Sequence, residues 1–493
     1  MLLLSFIIVI LYSISILLLF FYSLAHFNLL LNYLRSKKRA DQSVQFDLSN
    51  PNEIPLVTIQ LPIYNEKYVV ERLLTTIAKM DYPKDRLEIQ VLDDSTDDSV
   101  LKTELLIHKI AQSGLDIKHM RRSNRTGFKA GALKEGLRSA KGEFIAIFDA
   151  DFVPQKDWLY KTIPYFKDPK IGVVQTRWGH LNRDYSILTK IQAFALDAHF
   201  TLEQVGRNSK LHFINFNGTA GVWRKQCILD AGNWESDTLT EDLDLSYRAQ
   251  IKDWKFKYLE NVVTPAELPA IISAARSQQF RWNKGGAENF SKNAIRVLQS
   301  KSIGFKTKAH GMLHLLNSSM FLAIFTMAIL SVPMLYIRNE FAQFEKVFDL
   351  LLFFIITSIL FFISYWATYK SIHGGGFKNF IKYIPLFITF YTIAMGFSFH
   401  NTIAVVEGLW GKKSEFIRTP KLNIEGLKEK WKQNSYISDT ISKNIIVEGL
   451  LILYFIFAIY SAFRLNDYSL ITLHLMLFIG FSFVFIKSIQ VNK

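Results

Sequence analysis

The chain has 493 residues, a formal net charge of +15, an apolar share of 49% and one cysteine, Cys227. Its length exceeds one ordinary domain, and so many apolar residues are unusual for a soluble enzyme of this size. One cysteine excludes an internal disulfide and a cysteine zinc cluster. The basic residues form neither a groove nor an arginine-rich tail, which argues against nucleic acid as a partner.

The chain opens on an apolar block at residues 2–34. Ser23 and Ala25 weakly resemble a signal cleavage site. The block nevertheless lacks a basic start and is far longer than a signal core. It is long enough to span a bilayer, which needs about 20 apolar residues. We therefore expect an uncleaved transmembrane anchor over 1–34, followed by Arg35, Lys37, Lys38 and Arg39 on the cytoplasmic side. Residues 35–54 read as a linker, with Pro51 inside it and Pro55 just after.

Beyond the linker, short apolar runs alternate with helical patterns. Residues 56–61, 87–92, 144–148 and 171–176 read as strands rich in branched side chains. Residues 67–80, 98–112, 129–140 and 155–166 read as helices. Such alternation predicts an α/β domain with a mostly parallel sheet covered by helices on both faces. In such sheets ligands bind beyond the carboxyl ends of the strands.

Acidic residues stand at those ends. Asp93-Asp94-Ser95 follows the second strand, and Asp149-Ala150-Asp151 follows the third. Carboxylates at alternating positions suit a hard divalent cation whose shell substrate phosphates complete. A lone Asp-x-Asp is as well read as solvated turn residues; two clusters after two parallel strands of one sheet point to a nucleotide–metal site. Thr240-Glu241-Asp242 reads either as a third acidic element or as a helix start, with threonine capping and acids in the first turn. Gln278-Gln279-Phe280-Arg281-Trp282 offers a flat indole for a sugar ring and a guanidinium fork for phosphate. An amphipathic helix with a buried tryptophan reads the same stretch equally well.

After residue 311, apolar blocks lie at 312–336, 347–369, 383–404, 444–463 and 468–488. If all spanned, the basic loop 411–443 would face away from the cytoplasm, against the charge bias. We therefore expect 383–404, interrupted by Gly396, His400 and Asn401, to lie in the interface or re-enter, leaving five spans. Trp410 and Trp431 read as interfacial anchors. Gly374-Gly375-Gly376 reads as a turn, since no P-loop Lys-Ser or Lys-Thr pair follows. His180, His199 and His212 read as structural, and the histidines show no metal-ligand spacing.

Taken together, these elements resemble the processive family 2 glycosyltransferases of the cellulose synthase superfamily. The motifs are Asp94, Asp149-x-Asp151, Thr240-Glu241-Asp242 and Gln278-x-x-Arg281-Trp282. Flanking matches are Pro62-Ile63-Tyr64-Asn65-Glu66, Tyr82-Pro83, Arg125 to Gly131, and Asn217 to Arg224. The last looks most like the plant cellulose-synthase-like mannan and glucan synthases. The resemblance is dense over 55–300 and looser through the membrane blocks.

The resemblance implies a GT-A fold for 55–300, inserted in an α-helical membrane protein, with residues 301–493 forming transmembrane and interfacial helices around a cytoplasmic loop at 408–443. It implies inverting, metal-dependent transfer of a hexosyl unit from a nucleotide sugar. By the same resemblance, Tyr64 and Asp94 contact the nucleoside, and Lys129 approaches the diphosphate. Asp149 and Asp151 hold nucleotide and Mg²⁺ or Mn²⁺, and Asp242 is the general base. Asn217, Gly218, Thr219, Gln278, Arg281 and Trp282 border the acceptor. Phe416-Ile417-Arg418-Thr419-Pro420-Lys421 resembles the family's gating loop, Phe-x-Val-Thr-x-Lys-Gly, with Arg418 in place of valine and Leu422 in place of glycine; Phe416, Thr419 and Lys421 match. A plain basic membrane flank reads the loop more simply.

The resemblance implies a β-linked polysaccharide of β-1,4 type, built from GDP-mannose or UDP-glucose and exported through the enzyme's own helices. A single-transfer glycolipid synthase acting on diacylglycerol or polyprenyl phosphate is the alternative. The expected setting is a multi-pass protein of a bacterial inner membrane with a cytoplasmic catalytic domain.

Overall fold

A computed structural model describes residues 2–38, 54–341, 344, 351–414, 417–424 and 444–490. Most of the linker, Phe416 and Trp431 lie outside the described residues.

The central domain is built on a seven-stranded sheet of order β3-β2-β1-β4-β6-β5-β7. The strands are β1 Val57–Ile63, β2 Leu87–Asp93, β3 Asp116–Met120, β4 Phe144–Ile147, β5 Ile171–His180, β6 Gly221–Arg224 and β7 Lys255–Ala266. β6 runs antiparallel to β4 and β5, and every other pairing is parallel. The expected mostly parallel sheet is therefore present, with β3, β6 and β7 added to the four strands legible in the sequence. β1 is fully buried along one face through Val57, Ile59, Leu61 and Ile63. On its other face Thr58 donates to Glu88 at 2.7 Å and Gln60 Nε2 to Gln90 at 3.0 Å, which pairs these buried donors. Trp158 closes the core, packing edge-on against Phe148 and donating its indole N–H to Thr264 at 2.9 Å.

The helices, in chain order, begin with α1 Leu2–Ser36, α2 Val70–Ala78, α3 Ser99–Ala111, α4 Phe128–Ser139 and α5 Trp158–Thr162. The helix expected at 155–166 is thus shorter; Pro164 at its end turns residues 163–167 into a 3₁₀ stretch. Next come α6 Ile187–Asp197, a π-helical turn Ala198–Glu203, α7 Gln204–Asn208, α8 Lys225–Asp230, α9 Glu241–Ile251, α10 Ile272–Gln299 and α11 Phe305–Leu315. The membrane helices follow as α12 Met320–Glu340, α13 Leu351–His373, α14 Phe377–Gly396, α15 Ser398–Leu409, α16 Asn444–Arg464 and α17 Ile471–Gln490.

Five helices, α1, α12, α13, α16 and α17, are long and apolar enough to cross a membrane. α14 and α15 are bent by 51° at the break between them, so 383–404 is not one straight span. The break falls at Phe397, and the polar residues beyond it turn towards the catalytic domain. Asn401 donates to Gln279 Oε1 at 2.9 Å, and His400 Nε2 bonds the Arg276 carbonyl at 3.1 Å, both on α10. Polar groups at membrane depth need such partners. Arg276 itself pairs with Glu448 of α16 and donates to Ser488 of α17 at 2.8 Å.

α14 and α17 cross at backbone contact. A Cβ on Gly480 would lie 2.3 Å from the Thr392 carbonyl oxygen, and one on Gly396 would lie 2.3 Å from the Gly480 carbonyl. Small residues permit such crossings in a bilayer. Gly480→Val should cost about 1–3 kcal/mol by forcing the helices apart, read as a lower thermal midpoint of the purified protein in detergent. An unchanged midpoint would mean that this crossing is not made.

Candidate active site

The carboxyl ends of β1, β2 and β4 open into a cleft of about 210 Å³. Tyr64, Asp94, Lys129, Asp149, Asp151, Asn217, Gly218, Asp242, Gln278, Arg281, Trp282, Thr419 and Lys421 all line it. These residues come from segments as distant as β1 and the strap at 417–424, and the fold brings them together. Thr219 is different. It is fully buried behind the cleft, and its hydroxyl accepts the Asp149 N–H at 2.8 Å. It positions Asp149 rather than facing a ligand.

At one end, the Arg125 guanidinium stacks 3.3 Å from the Tyr64 ring centroid, a cation–π contact. Arg122 forks onto Asp94, with Nε at 2.9 Å from Oδ1 and Nη2 on Oδ2. In the middle, Lys129 donates to Asp149 Oδ1 at 2.5 Å and to the Gly218 carbonyl at 2.9 Å. Burial alone would lower the Lys129 ammonium, but Asp149 and Glu241 outweigh it and hold it above its ordinary value. Gly218 has φ +75°, and a Cβ there would meet Asp242 Oδ2 at 3.2 Å. Both the backbone and the space beside Asp242 require glycine.

Asp242 sits in the first turn of α9. Burial, and then the neighbouring Glu241 carboxylate, push its carboxyl up to about 7, against the pull of Lys129. Thr240 is the N-cap residue, but its side chain makes no capping bond. Its hydroxyl instead accepts from Asn289 of α10 at 2.9 Å. The stretch is thus a helix start with acids in its first turn, while the Thr240 hydroxyl ties the Asp242 helix to the helix carrying Gln278, Arg281 and Trp282.

The strap crosses the cleft on ion pairs and hydrogen bonds. Lys421 Nζ lies 2.8 Å from Asp151 Oδ2, and the Leu422 N–H donates to Glu267 at 2.8 Å. Arg281 donates to Thr419 Oγ1 at 2.8 Å and to the Ile417 carbonyl. Arg418 forks onto Glu66, Nε to Oε1 at 2.9 Å and Nη2 to Oε2 at 2.5 Å. Sequence reasoning gave Glu66, Arg122, Arg125 and Arg418 no role. Glu66 and Arg125 stand inside stretches that match the family, and Arg418 departs from the expected valine; Arg122 gave no signal.

Asp149 and Asp151 fit a divalent cation. Asp151 Oδ1 is buried without a hydrogen-bond partner among the described residues, and Asp149 is only partly covered. Both carboxylates currently have ammonium counter-ions, Lys129 and Lys421. The closest three-carboxylate group among the described residues is elsewhere, at Glu235, Asp237 and Asp244. Lys292 reaches all three at 2.7, 2.7 and 3.1 Å, which makes that group an ion-pair cluster.

A second cavity, of about 490 Å³, rises from the same place between α1, α12, α13 and α14. Trp178, Asn217, Thr240, Asp242 and Trp282 line both spaces. Its lower wall is polar, with His199, Gln279, Asn283 and Asn317; its upper wall includes Ile324, Met327, Phe354 and Phe361. His199 is held between Glu203, at 3.3 Å, and Asn217, at 3.2 Å.

Residues 55–285, which carry the GT-A-like mixed sheet and its strand-end acidic cleft, match the family described as "Glycosyltransferase like family 2". Among curated proteins the chain is similar to Glucomannan 4-beta-mannosyltransferase 9 of Arabidopsis thaliana, 42% identical over 261 residues, covering 52% of this chain and 49% of that protein. It is 40% identical over 290 residues to Glucomannan 4-beta-mannosyltransferase 1 of Cyamopsis tetragonoloba, covering 57% and 55%. The chain thus spans about half the length of the curated relatives it matches. In fold it is similar to a mannosyltransferase from Pyrobaculum calidifontis solved in complex with GDP-Man and Mn2+, with a TM-score of 0.52 at 20% identity, covering 81% of this chain and all of that one.

Proposed function

We propose that the protein transfers a hexosyl unit, mannose before glucose, from a nucleotide diphosphate sugar to a β-linked glycan, with inversion at the reacting carbon. One observation carries this reading: Asp242 stands in the wall common to the cleft and the membrane cavity. A donor in the cleft and an acceptor in the cavity meet at that carboxylate. The glucomannan mannosyltransferase names of the relatives support mannose, and therefore GDP-mannose, as the donor.

The residues divide the chemistry as follows. Asp242 takes the proton of the attacking hydroxyl, while Lys129 and Arg281 stand on the leaving-group side. Tyr64, Arg125 and Asp94 form the nucleoside end. The Trp282 indole gives the acceptor ring a flat face. Asp149 and Asp151 would hold Mg²⁺ or Mn²⁺, which offsets negative charge on the diphosphate when bound. Lys421 and Lys129 are already at those carboxylates and can transfer to phosphate oxygens as the donor arrives. The basic flanks after α1 and around 411–424 support a catalytic domain on the cytoplasmic side. The cavity above Asp242 supports delivery of the growing chain into the membrane.

The apolar upper wall of that cavity supports a second reading, in which the acceptor carries a prenyl or acyl chain. One experiment separates them. Purified protein in lipid receives labelled GDP-mannose or UDP-glucose with Mn²⁺, and the product is sized and digested. A polymer cut by β-mannanase is the expected result; a single-sugar glycolipid would replace the first reading by the second, and no transfer from either donor would reject both.

A further inference from the structure

We infer that the protein binds the headgroup of an anionic phospholipid in a cavity that is separate from the donor cleft. This cavity, of about 570 Å³, lies where β5 and β7 begin, opposite the strand ends that carry the cleft. Lys170, Lys252, Lys255 and His212 line it, and Asp253 is the one acidic lining residue. Lys210, Lys301 and Lys306 adjoin the lining residues Leu211, Ser302 and Thr307. Lys170, Lys210, Lys255, Lys301 and Lys306 are all exposed. None of their ammonium groups has an ion pair or hydrogen bond among the described residues. Lys170 and Lys255 therefore bring unpaired ammonium groups to the cavity wall, and Lys210, Lys301 and Lys306 flank its lining residues in the chain.

The depth of this space follows from two helices that run alongside α1. The segment 203–208 keeps step with α1: Glu203 meets His26 at 3.5 Å, and a Cβ on Gly206 would lie 2.5 Å from the Leu29 carbonyl. α7 ends at Asn208, beside the last turns of α1, and Leu211 follows three residues later in a turn. Independently, Asn317 accepts the Tyr22 hydroxyl at 2.6 Å. Phe305 opens α11, which packs on α1, and lies at most roughly 18 Å from the level of Tyr22 at 1.5 Å per residue. Leu34 is the last apolar residue of the anchor, and Arg35, Lys37 and Lys38 follow it. The mouth of the cavity thus lies at headgroup level.

Its rim is built for an apolar neighbour. Phe305 is 85% exposed and Leu211 is 67% exposed. Leu211 has φ +54°, a left-handed backbone that leucine rarely adopts. Its N–H is held by the Asn208 carbonyl at 3.1 Å, and His212 beside it is fixed by Thr307 at 2.9 Å and by stacking on His310. The fold therefore spends backbone strain on presenting an apolar side chain outwards, next to unpaired lysines. A phosphodiester among the lysines with acyl chains along Leu211 and Phe305 satisfies both features; a nucleic acid or a soluble anion has no use for the apolar rim.

The test is native mass spectrometry of the full-length protein in detergent with equal amounts of dioleoyl phosphatidylglycerol and dioleoyl phosphatidylcholine. The wild type should retain the anionic lipid in excess. Replacing Lys170, Lys210 and Lys255 with glutamine should cut that excess by about fivefold for each lysine. Leu211→Ser with Phe305→Ser should lower retention of both lipids. Equal excess in wild type and lysine variant would overturn the inference. So would displacement of the lipid by glycerol phosphate at equal concentration, which would mark a site for free phosphate. Sugar transfer does not enter the readout, so the result stands apart from the proposed activity.

Discussion

Asp242→Asn should lower turnover by about 100- to 10,000-fold, the usual worth of a general base, while the affinity for the nucleotide stays near wild type. The carboxamide fills the same space but accepts no proton, and the nucleoside end at Tyr64 and Asp94 is untouched. The pH dependence carries a second signature. Burial and Glu241 raise the Asp242 carboxyl to about 7, so below that pH it holds a proton and cannot act as base. Activity should therefore rise through pH 7 and level off above it, and the residual activity of the asparagine variant should lose that rise. Steady-state kinetics from pH 5.5 to 9, with donor binding by calorimetry, check both. Turnover unchanged in the variant would reject the assignment.

Arg418→Val, which installs the valine seen in related gating loops, should release the strap. Arg418 and Glu66 form a bidentate pair that is almost entirely shielded from water. Removing one partner of such a pair costs about 3–5 kcal/mol, because the other charge is left stranded. The lower figure corresponds to about a hundredfold greater population of the open strap. Limited proteolysis within 417–424 should accelerate accordingly, and Arg418→Val with Glu66→Gln should recover much of the protection, since no stranded charge remains. If the single substitution leaves cleavage unchanged, Arg418 does not hold the strap.

The sequence carried the acidic half of the site better than the basic half. Asp94, Asp149 and Asp151 were legible because strand ends are marked by branched apolar runs, and chemistry collects at those ends. Asp242 and Trp282 needed the family resemblance, since a helix start and an amphipathic helix explain the same letters. The Glu66–Arg418 pair was invisible for another reason: the two residues are 352 positions apart, and no local pattern reports such a pairing. The strands missed have local causes as well. β6 has four residues and owes its place to antiparallel pairing with β4 and β5. β7 is interrupted by Glu260 and Asn261 and is irregular in its register with β5. β3 is an edge strand, only half-buried throughout. Thr219 was placed among acceptor contacts because the family resemblance covers the whole Asn217-Gly218-Thr219 stretch; the turn at Gly218 sends the threonine inwards instead.

The family match ends at residue 285, halfway along α10. That helix is pinned at its start by Arg276 to Glu448 and Ser488, and beyond the match by Asn289 to Thr240. The homologous unit and the mechanical unit therefore have different borders. A soluble fragment cut at the homology border would sever the beam that spaces Trp282 from Asp242, and one cut after Gln299 would still orphan the Arg276 guanidinium. Recombination could exchange the front of the catalytic domain between relatives with little damage, whereas its rear must be inherited together with the last two membrane helices.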